Sequence, residues 1–338
     1  MFHLGPFFFL PWSFPVRTRA SPWGRPGPGG SLPSVMGWIL SASRRTDIPS
    51  FFGEWFLRRL EEGRVLVPNP FRPSQVKEVL LSPGEVGALV FWTKDPGPFL
   101  PSLDRLESLG YGRYVFLFTL NAYPPLVEPG LPPLEERIET FRALAARIGS
   151  ARVSWRYDPI FFGKDFPPAW HREKFAYLAR ALEGASDRVI VSLLDLYRKT
   201  LRRLAPLEGR VSLEDPASQE GLGELLEELA REAERRGMEI QACAEGGRLL
   251  PWIPDAPCLD ARRLGRLFGI DLPGGRHKGQ RRECLCDFSV DIGVNGTCGH
   301  GCLYCYATAN PEKARRLARD QDPDAPSLGV VRGGGAPG

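Results

Sequence analysis

From Trp38 onward the chain alternates short runs of β-branched and aromatic residues with longer stretches whose apolar positions recur at helical spacing. That βαβα rhythm belongs to a parallel sheet or barrel. The pattern predicts strands over 38–43, 88–92, 114–120, 153–157, 189–193, 239–242 and 289–294. It predicts helices over 51–61, 134–148, 169–182, 221–236, 261–267 and 311–319. The 134–148 helix carries Glu135 and Glu136 in its first turn, where the macrodipole favours anions. The expected architecture is an α/β domain over 36–320, a partial or closed parallel β/α barrel of TIM-like type.

Each predicted strand runs into a turn rich in unusual polar or aromatic residues. Ser43-Arg44-Arg45-Thr46-Asp47 follows the first and Trp92-Thr93-Lys94 the second; Arg156-Tyr157-Asp158, Cys243-Ala244-Glu245 and the segment from Cys298 to Cys305 follow later ones. With parallel strands these turns crowd one rim, which is where β/α barrels place their chemistry.

The two ends read differently. Residues 1–35 are Pro/Gly-rich behind an apolar Phe7-to-Trp12 run with no basic residue before it, so a signal peptide is not expected. With Met36 placed just before the first strand, they read as a disordered extension or a mis-called start. Residues 321–338, rich in Asp, Pro and Gly, read as a flexible tail.

With 43% hydrophobic and 25% charged side chains in 338 residues, a substantial core is expected rather than disorder. No apolar run of about eighteen residues occurs, so neither a membrane helix nor a membrane partner is expected. The net charge of +4 misleads, because Arg17, Arg19 and Arg25 lie in the first 36 residues, where no acid stands. The body is nearly neutral, and nucleic acid is not indicated as a partner. Five of the seven cysteines fall between Cys284 and Cys305, which reads as metal ligation in a reducing, cytoplasmic compartment.

Cys298-x-x-x-Cys302-x-x-Cys305 presents three thiolates on one loop, with Gly299 and Gly301 easing the tight backbone. The run from Cys302 to Ala307 resembles the signature of radical S-adenosylmethionine (SAM) enzymes, including the spore photoproduct lyase branch. The resemblance implies a [4Fe–4S] cluster on the cluster-binding loop after the last strand, with its open iron chelating SAM. It also implies that Tyr304 lies beside the adenine, and that a ferredoxin- or flavodoxin-type partner supplies electrons to act on an unknown substrate. Two other readings stand beside it: an electron-transfer iron–sulfur protein, and a zinc-stabilised nucleic-acid-binding module with His300 or Cys286 as fourth ligand. Cys243, Cys258, Cys284 and Cys286 could satisfy a second [4Fe–4S] cluster.

Other rim residues are candidates for substrate contact. Arg45 and Lys94 suit anions, and Asp47 suits either that site or an N-cap for a helix starting near Pro49. Arg156 and Asp158 form a second candidate pair, and Glu245 stands two residues from Cys243.

Ile39 to Asp47, Val90 to Lys94, Trp155 to Ile160, Cys243 to Glu245 and the last cysteine run together resemble the family catalogued as domain of unknown function 1848. That resemblance extends from Met36 to about Gly329 and implies a cysteine-rich C-terminus without an assigned substrate. Radical SAM enzymes carry the cluster loop after the first barrel strand, so this chain resembles a circular permutation of them. Strand 289–294 would then neighbour 38–43. In that arrangement Ser43, Arg44 and Thr46 stand where those enzymes grip the methionine amine.

Overall fold

The computed structural model describes residues 37–277 and 279–331; the extension expected over 1–35 lies outside them. Nine strands form: β1 (Trp38–Ala42), β2 (Arg64–Pro68), β3 (Val76–Leu80), β4 (Val86–Thr93), β5 (Tyr114–Thr119), β6 (Val153–Ile160), β7 (Arg188–Leu193), β8 (Glu239–Ala242) and β9 (Val290–Asp291). Seven make one parallel sheet in the order β8-β7-β6-β5-β4-β1-β9. Its end strands do not pair among the described residues, so the sheet is open rather than a closed barrel. The other two form an antiparallel hairpin that the chain pattern did not predict.

Strands of a doubly covered parallel sheet read as continuous apolar runs, and β4, buried along nearly its whole length, is one. Leu40, Leu89, Phe91, Phe116, Phe118 and Val191 point to one face. There they meet α2 (Gly53–Glu62), α4 (Leu134–Ile148), α5 (Pro168–Ala181) and α7 (Leu222–Arg235) through Trp55, Phe141, Phe175 and Leu225. Ile39, Ala88, Val90, Val115, Leu117 and Ile190 point to the other. That face is covered by Leu264 of α8 (Ala261–Phe268) together with Cys258, Leu259 and Cys286.

The expected neighbouring of first and last strands is seen: Leu40 pairs with Val290 and Ser41 with Asp291. β9 has two residues rather than the six expected over 289–294. Beyond it Gly293 passes so close to β1 that a Cβ there would stand 1.9 Å from Ser43 Oγ. The Asp291 carboxylate carries much of the join, taking Ser41 Oγ at 3.0 Å, Ser43 Oγ at 2.6 Å, Arg44 N at 2.8 Å and Gly293 N at 2.9 Å.

Two short helices, α1 (Ile48–Phe51) and α6 (Arg198–Leu204), stand at the rim, and α3 (Leu103–Ser108) follows β4. Asp47 caps α1, accepting from Ser50 N at 3.1 Å, with a proline in the first turn as the sequence predicts. After α9 (Pro311–Asp320) the expected loose tail is, over 321–331, packed onto α2 and β2. Trp55 Nε1 donates to Ala325 O at 2.9 Å and Leu66 N to Pro326 O at 2.8 Å, while Ala325 and Leu328 are buried. A buried indole and an edge-strand amide both need acceptors, and this segment provides them.

Candidate metal centre

The three-cysteine loop lies between β9 and α9, and its backbone is fastened from several directions. Thr297 Oγ1 meets Thr46 Oγ1 at 2.8 Å, which ties the start of the loop to the turn after β1. Arg203 on α6 donates to Gly301 O and Thr308 O, both at 2.8 Å, and Arg315 on α9 donates to Gly299 O at 3.0 Å. Gly301 adopts φ 77, a left-handed conformation in which a side chain would be strained. The turn closes with Cys305 N on Cys302 O at 3.1 Å.

His300 is buried and points away from the role of a metal ligand. Its Nε2 faces Asp47 Oδ2 at 2.8 Å and Ser50 Oγ at 3.2 Å, and its Nδ1 faces Gly130 O at 3.2 Å. Asp47 Oδ2 also accepts from Lys94 N at 2.7 Å. Both Asp47 oxygens are therefore occupied in joining α1, β4 and the cysteine loop, which is scaffolding rather than substrate contact.

Lys94 Nζ lies 2.9 Å from Glu128 Oε1 and 2.7 Å from the Tyr304 hydroxyl, which itself donates to Glu128. Asn121 Nδ2 approaches that hydroxyl at 3.4 Å, and Arg137 Nη1 stands 3.5 Å from Glu128 Oε2. Burial works against the Glu128 charge, but Lys94 and Arg137 outweigh it and hold the carboxyl below its ordinary value. Tyr304 thus anchors the loop from below through an acid that the sequence reading missed. Glu128 sits in an irregular segment with no motif around it.

A second group of rim residues surrounds Trp92. Arg44 lies over its ring with the guanidinium carbon 5.2 Å from the centroid, and Arg156 lies over it at 5.0 Å. Arg45 is claimed by Asp291, through Nε to Oδ1 at 3.1 Å and Nη2 to the main-chain oxygen at 2.8 Å. Arg44, by contrast, is exposed, donates to Ser289 Oγ at 2.8 Å and has no ion-pair partner among the described residues. Arg156 pairs with Asp158, whose other oxygen accepts from Ser192. Trp92 Nε1 is a buried donor without a hydrogen-bond partner among the described residues.

The remaining four cysteines come together. All four are free thiols in one packed cluster, with Cys258 and Cys286 buried and Cys243 and Cys284 half-buried against it. Arg156 Nη1 donates to Cys258 Sγ at 3.1 Å. Glu245 is buried beside them, but its oxygens are taken by Leu193 N at 2.9 Å and Arg248 Nη2 at 2.7 Å. Burial raises its pKa.

All seven cysteines line one cavity of about 430 Å³ at the C-terminal ends of the parallel strands, together with Arg44, Trp92, Arg156, Asp158 and Tyr304. Burial pushes Cys302 up to about 12 and raises Cys298 well above its ordinary value, with the Asp47 charge adding to the rise at Cys298. Among the described residues no three His, Cys, Asp or Glu side chains are placed as ligands of one metal ion. The three loop thiols nevertheless fit a polynuclear cluster. They are soft donors on one loop facing a shared cavity, whose wall carries the unsatisfied Trp92 Nε1.

The fold and rim define an α/β protein with an open parallel sheet and a cysteine-lined cavity at its C-terminal edge. The chain belongs to the family described as domain of unknown function (DUF1848), whose model matches residues 39–307. No curated protein matches it. Among solved structures, a point mutant of spore photoproduct lyase is 21% identical, covering 45% of this chain and 50% of that one, with a TM-score of 0.33. The chain thus spans half the length of that lyase. A candidate α-L-fucosidase from Bacteroides thetaiotaomicron is 11% identical over 88% of this chain and 98% of that one, with a TM-score of 0.31. Among the described residues no helix is long and apolar enough to cross a membrane.

Proposed function

We propose that the chain is an iron–sulfur enzyme of radical SAM type, with Cys298, Cys302 and Cys305 holding a [4Fe–4S] cluster and SAM bound beside them. One observation carries the reading: the three loop thiols open into the same rim cavity as Trp92, Arg44 and Arg156. Such a cluster, when bound, passes one electron to SAM, giving methionine and a 5′-deoxyadenosyl group that takes a hydrogen atom from the substrate.

The chain's own residues supply placement. Arg44, free of any carboxylate partner among the described residues, suits the methionine carboxylate, and its fork geometry permits a bidentate grip. Trp92 brings a large indole to the cavity wall, with the Arg44 and Arg156 guanidinium groups against its ring. Lys94, Glu128 and Tyr304 fix the loop's depth, and Asp47 with His300 fixes its height over α1. The electron comes from a ferredoxin- or flavodoxin-class donor.

The test is anaerobic reconstitution with iron and sulfide, followed by reduction in the presence of SAM. The expected result is a brown protein that releases 5′-deoxyadenosine, with that release abolished and the iron bound by the loop lost in Cys302→Ala. A reducible cluster that leaves SAM intact would replace this reading with electron transfer, and zinc without iron would replace it with a structural site.

A further inference from the structure

We propose that Cys243, Cys258, Cys284 and Cys286 form a second metal centre, a [4Fe–4S] cluster ligated wholly by protein, facing the same cavity as the three-cysteine loop. The four thiols come from three separate places: the end of β8, the loop before α8, and the Cys284-Leu285-Cys286 segment. They meet in one packed cluster on the sheet, where Cys258 and Cys286 are only 3% and 4% exposed and Cys243 and Cys284 lie against them. Cysteines used as core filler pack against hydrocarbon. These also meet a buried cation, because Arg156 donates to Cys258 Sγ at 3.1 Å, and a main-chain amide, because Leu259 N stands 3.5 Å from Cys286 Sγ. Donors aimed at sulfur offset the negative charge that thiolate ligands bring to a buried place.

The backbone around the four is set in advance. Gln280 Nε2 donates to both Cys284 O at 2.7 Å and Cys286 O at 2.8 Å, fixing the two-cysteine segment through its carbonyls. Asp287 accepts from Ala261 N at 2.7 Å and Gly275 N at 2.8 Å, and its own amide donates to Leu259 O at 2.9 Å. Next to Cys243, Ala244 holds φ 58, a left-handed conformation uncommon for a residue with a Cβ. Among the described residues no three such side chains are placed as ligands of a single ion. A larger inorganic body with a metal at each corner suits four thiols spread along one cavity wall better, and binding it releases the four thiol protons.

The experiment loads the full chain anaerobically with iron and sulfide and measures iron, sulfide and zinc in three proteins: wild type, Cys302→Ala, and Cys284→Ser with Cys286→Ser. The expected counts are about eight irons in the folded wild type and about four in each variant, the two four-iron species differing in their paramagnetic resonance after reduction. About four irons in wild type that vanish in Cys302→Ala would overturn this second centre and leave the loop centre standing. About four that survive in Cys302→Ala but vanish in the double serine variant would uphold it and remove the loop centre instead. Zinc in place of iron, lost on the double serine substitution, would overturn the cluster assignment. If a variant fails to fold, eight irons in wild type still support the proposal and four removed by Cys302→Ala still defeat it.

Discussion

The two cysteine sets share one cavity but are built by opposite means. The loop set is local: Cys298, Cys302 and Cys305 lie within one turn, whose carbonyls are pinned by Arg203 and Arg315 and whose floor is the Lys94–Glu128–Tyr304 group. The other set is tertiary: it exists only because α8 and the segments flanking it pack against the sheet face formed by Ile39, Val90 and Ile190. The first is fastened mainly through backbone oxygens and a buried ion pair, the second through apolar packing and a cation on sulfur. Damage to the underpinning of one set should therefore leave the other largely intact.

The largest break in that comparison comes from Glu128→Ala, which strands the Lys94 ammonium, only 16% exposed, without its counter-charge. Breaking a buried pair from one side costs about 3–5 kcal/mol. Urea unfolding should show a loss of that order, and iron should be lost from the loop set while the Cys284–Cys286 set keeps its share. Equal iron loss from both sets would mean that the two are not independent.

A smaller effect is expected from Asp291→Asn, since hydrogen bonds to a charged group are worth about 1.5–3 kcal/mol. Burial opposes the Asp291 charge, but Arg45, Ser43 and the amide of Arg44 prevail, and the folded pKa lies below its ordinary 3.8. A depressed carboxylate contributes stability above its unfolded pKa and loses it as pH falls through the folded value. The stability gap between wild type and Asp291→Asn should therefore be full at neutral pH and narrow on acidification below about 4. A gap constant down to pH 2 would contradict the clamp.

The smallest effect is assigned to Gly301→Ala, which forces a Cβ into a left-handed residue and toward Arg315 Nη2, 2.8 Å away. A cost of about 1–2 kcal/mol is expected. Lower iron affinity should be confined to the loop set, as read by titration against a chelator.

The seven sheet strands were legible because continuous apolar runs such as 114–119 have no other use at that length. The β2–β3 hairpin was not, because Val65-Leu66-Val67 is only three residues long and Lys77 and Glu78 interrupt the second strand. Pro68, Pro70 and Pro73 break the run that would have shown it. At the rim, the loop cysteines and the cap at Asp47 announce themselves through spacing. Glu128 does not, because its partners Lys94, Arg137 and Tyr304 come from a turn, a helix and the cysteine loop far away in sequence. Asp291 did leave a trace, as an acid between Val290 and Ile292 in a predicted strand, where a buried charge needs a partner. The tail over 321–331 misled because its composition is that of a loose end, while its order comes from acceptors owed to Trp55 and β2.

The position of β9 in chain order sets a schedule. Chains fold progressively as they are synthesised, N-terminal parts first. All seven sheet strands therefore leave the ribosome before Cys298 does. On the proposed reading, iron delivered to that loop would meet a scaffold already standing rather than a nascent coil, which would place loading of the centre after translation.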